Sequence, residues 1–80
     1  MIIEPELYDL IVSTAKDIQK QRGYFTQRLV RNQIEKEVKH TVRLYVINNC
    51  LLRAGSAPYP MFDHKYHVDF RLYFPQEVAV

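Results

Sequence analysis

Apolar residues recur at three- and four-residue intervals early in the chain, at Leu7, Leu10, Ile11, Ala15 and Ile18. That is the spacing of one helical face. Pro5 fits a first turn, where its missing N–H costs nothing, and Glu4 and Glu6 complement the positive end of the helix dipole. Lys16, Lys20 and Arg22 fall where cations are favoured, and Gly23 suits the position just past the end. The pattern predicts a helix over residues 5–22, with Tyr8 and Val12 widening its apolar face. Tyr24 and Phe25 form a short hydrophobic link. Thr26 is a suitable N-cap, since its hydroxyl can accept from a free backbone N–H. Leu29, Val30 and Ile34 then mark the buried stripe of a second helix over residues 27–34. Gln27, Arg28, Arg31 and Asn32 point away from that stripe, and Arg28 and Arg31, three apart, share a face.

Glu35-Lys36-Glu37 is polar and suits a turn, although no glycine marks it; one long helix from Thr26 is the competing reading. Val38, Val42, Tyr45, Val46 and Asn49 trace one face of a third helix over residues 38–52, and Leu44, Ile47 and Leu51 trace the opposite side. A helix apolar on nearly all sides is central to its domain or covered by a partner. Asn48-Asn49 interrupts it, because Asn competes with its own backbone for hydrogen bonds. The helix therefore ends either at Asn48 or at Arg53. Ala54-Gly55-Ser56 is a break, and Pro58 and Pro60 suit an extended edge. Asp63-His64-Lys65 is turn-like. Tyr66, Val68, Phe70, Leu72 and Phe74 then alternate with His67, Asp69, Arg71 and Tyr73, the period of a strand. This predicts a hairpin over residues 56–74 and a tail over residues 75–80. Three helices followed by a hairpin make an α+β domain.

Eighty residues, 48% of them hydrophobic and 25% charged, bound this to one small globular domain and exclude a disordered chain. The longest unbroken apolar stretch, Leu44 to Ile47, is far short of the about 20 residues of a membrane span. The first residues lack the basic and apolar regions of a signal peptide. A single cysteine, Cys50, forms no internal disulfide, so a reducing, cytoplasmic location is expected. The net charge of +2 says little until it is mapped. Glu4, Glu6 and Asp9 make the start acidic. Lys16, Lys20, Arg22, Arg28, Arg31, Lys36, Lys39 and Arg43, against Asp17, Glu35 and Glu37, make the middle basic, and the remainder balances. A basic middle on a near-neutral chain is the footprint of a local phosphate-binding surface, and equally of a well-solvated helix pair.

Thr41-Val42-Arg43, followed by Leu51-Leu52-Arg53-Ala54-Gly55 and then by a hairpin, resembles the recognition helix and wing of winged helix-turn-helix DNA-binding proteins. The resemblance spans roughly residues 5–74. It implies a three-helix winged helix-turn-helix-like domain with a C-terminal β-hairpin, whose third helix enters the major groove by its N-terminal half. Lys36, Lys39, His40, Thr41 and Arg43 would then reach bases or phosphates, Arg28 and Arg31 would flank them, and Lys65 at the hairpin tip would hold backbone phosphate. Each of these is otherwise an ordinary exposed side chain.

Asp63, His64, His67 and Asp69 are four metal-ligand types within seven residues, but their spacing matches no closed zinc pattern. No metal or other cofactor is expected. Cys50 reads as a buried structural thiol. The chain carries no Gly-rich phosphate loop, no Ser/His/Asp arrangement and no convincing buried carboxylate pair, so no enzyme and no small-molecule substrate are expected. Tyr59, Phe62, Tyr66, Phe70, Tyr73 and Phe74 concentrate aromatic character after Pro58; packing on the helices accounts for Phe70 and Phe74. Leu44, Tyr45, Tyr59 and Tyr73 are candidates for a partner interface. A homodimer through the first helix or the hairpin is expected.

The favoured function is a DNA-binding transcriptional regulator on double-stranded DNA. The alternative is a protein–protein interaction module, an adaptor or inhibitor, on the same scaffold. RNA ranks behind both, because the sequence shows no aromatic and basic stacking platform.

Overall fold

The computed structural model describes residues 4–60 and 70–78. The first helix, α1, spans Pro5–Arg22, with Pro5 in its first turn and Lys20 and Arg22 in its last. Gly23 closes it in the left-handed region at φ 86°, its N–H donating to the Gln19 carbonyl at 2.6 Å. Only glycine takes that conformation without a steric cost. Ile11 and Ala15 are fully buried, with Leu7, Leu10 and Ile18 packed partly against the core. Thr14 and Gln19 are buried as well, two polar positions on a face expected to be apolar.

Strand β1 is Phe25–Thr26, and Thr26 also caps the next helix, its hydroxyl accepting from the Leu29 N–H at 3.1 Å. Helix α2 runs over Gln27–Val38, one turn beyond the expected end at Ile34. The reason lies in the stripe: Val38 continues Val30 and Ile34 at four-residue spacing and packs on the core. Glu35, Lys36 and Glu37 are helix formers, not a turn. The turn comes later, at Lys39, which caps α2 in the left-handed conformation at φ 59°.

Helix α3 spans Leu44–Arg53, so the expected start at residue 38 is wrong by six residues. Val42, assigned to that helix from its spacing, is instead buried from within the turn. Its backbone N–H donates to the Glu35 carboxylate at 2.7 Å, which ties the turn to α2. At its other end α3 passes through Asn48-Asn49 and ends at Arg53. Asn48 is not competing with its backbone, because its side-chain carbonyl accepts from the Gln27 amide at 2.8 Å. Ile47, Cys50 and Leu51 face the core.

Strands β2, Ala57–Pro58, and β3, Arg71–Tyr73, complete a three-stranded antiparallel sheet in the order β1-β3-β2. Phe25 pairs with Leu72 on one side of β3, and Ala57 pairs with Tyr73 on the other. Pro58 lies on an edge strand, where a missing donor is tolerated. The fold is therefore α+β, three helices with a small antiparallel sheet. Phe25 and Phe74 are fully buried, with ring centroids 4.9 Å apart. Phe70 is 51% exposed, against the expectation that packing on the helices accounts for it. The start of the expected tail is held in place. Pro75–Glu77 form a 3-10 turn, anchored by Gln76 donating to the Ala54 carbonyl at 3.0 Å and by a Lys16–Glu77 ion pair at 3.1 Å.

One side chain joins α1 to the end of β3. Gln19 on α1 donates to the Phe74 carbonyl at 3.1 Å and accepts from the Phe74 N–H at 2.7 Å. Its amide thus pairs with both backbone groups of Phe74, as a neighbouring strand would.

Candidate nucleic-acid interface

The expected DNA-contacting residues do not form the front half of α3. Lys36 is exposed in the last turn of α2, and Lys39, His40, Thr41 and Arg43 are exposed on the turn that leads into α3. His40 Nδ1 lies 3.1 Å from the Thr41 carbonyl. Arg43 is the N-cap residue of α3 and makes no side-chain cap. Lys39 and Arg43 therefore lie on the turn that leads into α3, Arg43 at the positive end of its dipole, where anions are favoured. The arrangement rests on three local features: the left-handed Lys39, the Glu35 carboxylate on the Val42 N–H, and the Val42 side chain in the core.

Arg28 and Arg31 lie along α2. Arg28 is exposed near its start, next to Gln27, whose amide bonds Asn48 on α3. At 1.5 Å per residue, Arg28 and Lys39 are separated by about 16 Å of helix. Arg31 is half-buried, with its Nε buried and without a hydrogen-bond partner, so part of its guanidinium is withdrawn from the surface. Lys65 lies outside the described residues, as do Asp63, His64, His67 and Asp69.

Helix α3 turns Tyr45 and Leu52 outward, 51% and 60% exposed. They are seven residues apart, two helical turns along one face, with Asn49 between them and Asn48 and Arg53 at the flanks. Asn48, Asn49 and Gln27 are absent from the sequence-based set of contact residues. The signal available for the two asparagines was their i+3 and i+4 spacing from Tyr45. Cys50 is on the inner face of the same helix, fully buried; burial pushes its thiol pKa up, and the charge of Arg53 offsets part of that rise.

The four proposed interface residues divide. Leu44 and Tyr45 stand at the start of α3, whereas Tyr59 and Tyr73 line a cleft of about 400 Å³ together with Lys16, Gln19 and Lys20 of α1. Among the described residues no helix is long and apolar enough to cross a membrane. Comparison of the chain with family models, curated proteins and solved structures finds no match.

Proposed function

We propose that the chain is a winged helix-turn-helix protein that binds double-stranded DNA and regulates transcription. The observation that carries this reading is the exposed basic turn, Lys39 to Arg43, set at the N-terminus of α3. The element order supports it too: β1 lies between α1 and α2, and the edge strand β2 and central strand β3 follow α3. In such a domain α3 enters the major groove. Lys39 and Arg43, on the turn that leads into α3, would meet backbone phosphate beside the groove. Asn49 is half-buried between Tyr45 and Leu52; an amide there can bond N6 and N7 of adenine, while Leu52 and Tyr45 can pack on thymine methyl groups. Lys65, between β2 and β3, would hold phosphate as the wing residue.

Each phosphate contact releases a counterion, so log K should fall against log salt with a slope of about −0.9 per contact. The test is fluorescence anisotropy with a random duplex at several salt concentrations. The double variant Lys39→Ala/Arg43→Ala should weaken binding at least about tenfold and make the slope shallower by about two. Duplex affinity unchanged in that variant would remove the turn from the interface; no duplex binding by the parent protein at low salt would end the DNA reading.

One observation favours the interaction module as a second reading. Tyr45 and Leu52 are large, exposed and aligned on α3, which is more apolar surface than a purely polar groove reader needs. On that reading the double variant Tyr45→Ala/Leu52→Ala would abolish partner binding, and that binding would respond little to salt.

A further inference from the structure

The sheet turns one face to the core, carrying Phe25 and Leu72. Its other face carries tyrosines that are far apart in sequence. Tyr24 and Tyr59 have ring centroids 5.7 Å apart with a 48° tilt, and Tyr59 and Tyr73 are 5.9 Å apart and edge-on at 86°. The Arg71 guanidinium sits 4.2 Å from the centroid of the Tyr24 ring. Tyr59 and Tyr73 continue into the cleft of about 400 Å³ whose opposite wall is α1, with Lys16 and Lys20 on that wall. This volume lies within the roughly 300–1,000 Å³ of small-molecule and nucleotide sites. Lys16 is paired with Glu77; Lys20 is exposed and makes no ion pair among the described residues.

We infer that this face is a second nucleic-acid site, one that binds single strands by stacking unpaired bases on the tyrosines. Three chemical features point there. The Tyr59 and Tyr73 rings meet edge-on, not in a closed stack, and both line the open cleft, where a further planar group can pack on them. Among the described residues that line the cleft, Lys16 and Lys20 stand against the single acid Glu77, which Lys16 pairs, so Lys20 is left to complement an anion. Two adjacent rings in the cleft, Tyr59 and Tyr73, offer more than one base a partner, so a strand is favoured over an isolated aromatic acid. Aromatic rings beside a cationic track are the general means of binding single strands without reading their sequence. The site lies on the sheet and α1, apart from the turn before α3, so it stands or falls independently of the duplex-binding proposal.

The experiment uses the full chain and a fluorescein-labelled strand of about twelve thymidines, titrated by anisotropy at low and moderate salt. The comparison variants are Tyr59→Ala, Tyr59→Phe, Lys20→Ala and the double variant Lys39→Ala/Arg43→Ala. The strand should bind, tyrosine emission should be quenched, and Tyr59→Ala should weaken binding about tenfold or more, with Tyr59→Phe restoring most of it. Lys20→Ala, a change at an exposed position that leaves folding intact, should weaken binding and make the salt slope shallower. The Lys39/Arg43 variant should bind the single strand as the parent does. Absence of binding, or affinity unchanged by both Tyr59→Ala and Lys20→Ala, would overturn the inference. So would loss of binding in the Lys39/Arg43 variant alone, which would place the strand at α3. Displacement of the strand by thymidine monophosphate at equal nucleotide concentration would also overturn it, by making the cleft a pocket for small ligands.

Discussion

Replacing Gln19 tests whether one side chain holds the C-terminal end of the sheet onto α1. Gln19 is only 8% exposed and satisfies both the N–H and the carbonyl of Phe74, 55 residues away. Gln19→Leu leaves those two backbone groups buried without partners. Each such group costs about 1–3 kcal/mol, and part of the sum is returned by the apolar leucine, so the net loss should be about 2–4 kcal/mol. For a domain of this size about 1 kcal/mol moves the melting temperature by roughly 4–8 °C, so the midpoint should fall by about 8–32 °C. Gln19→Glu sharpens the test. A carboxylate there still accepts from the Phe74 N–H, but it offers no donor to the Phe74 carbonyl; a protonated carboxyl restores one. Burial and that carbonyl both disfavour the charged form, so the folded-state pKa of the introduced group is raised above its unfolded value of about 4.3. Stability contributed by a group with a raised folded pKa is fully present below the unfolded value and lost as pH rises through the folded one. Gln19→Glu should therefore melt close to the parent near pH 4 and well below it at pH 7. Thermal melts followed by circular dichroism across that range measure both effects. A loss under about 1 kcal/mol for Gln19→Leu, or a Gln19→Glu deficit independent of pH, would refute the assignment.

Two other predictions concern the turn and α3. Glu35→Ala removes the acceptor of the Val42 N–H and should cost about 1–3 kcal/mol in urea unfolding. It should also weaken duplex binding beyond what the stability loss explains, because Lys39 to Arg43 lose their anchor. The Cys50 thiol, fully buried and with its pKa raised by burial, should react with a thiol reagent at neutral pH only as fast as the fold opens. Immediate stoichiometric labelling of the folded protein would contradict that placement, and mild urea should accelerate the reaction in step with unfolding.

Elements whose apolar faces are local were legible from the residues. The first helix was read with its limits, since Pro5, the stripe through Ile11 and Ala15, and Gly23 all act within a few residues. Thr26 as a cap was equally local. The turn before α3 was not legible. Lys39 adopts the left-handed conformation without being glycine, and Val42 is buried from a loop, so neither carries the usual mark. The spacing of Val38 to Val42 to Tyr45 imitated one continuous helical face. Gln19 had a faint signal, a polar residue four places after Ala15 on the buried stripe. Nothing local marks its partner as the backbone of Phe74. The tyrosine cluster was invisible for the same reason: Tyr24, Tyr59 and Tyr73 share a face only because β3 pairs between β1 and β2.

The sequence by itself determined the α+β class, the first helix, the cap at Thr26 and the basic character of the chain's middle. Periodicity and capping are short-range properties, and charge is additive along the chain. Tertiary structure decided where that basic character is presented, on a turn held by Glu35 and Val42. It also decided which residues α3 shows to solvent and which tyrosines meet across the sheet. These depend on contacts between residues distant in sequence, whose geometry is set only when the core of Phe25, Ile47, Leu51 and Phe74 has closed.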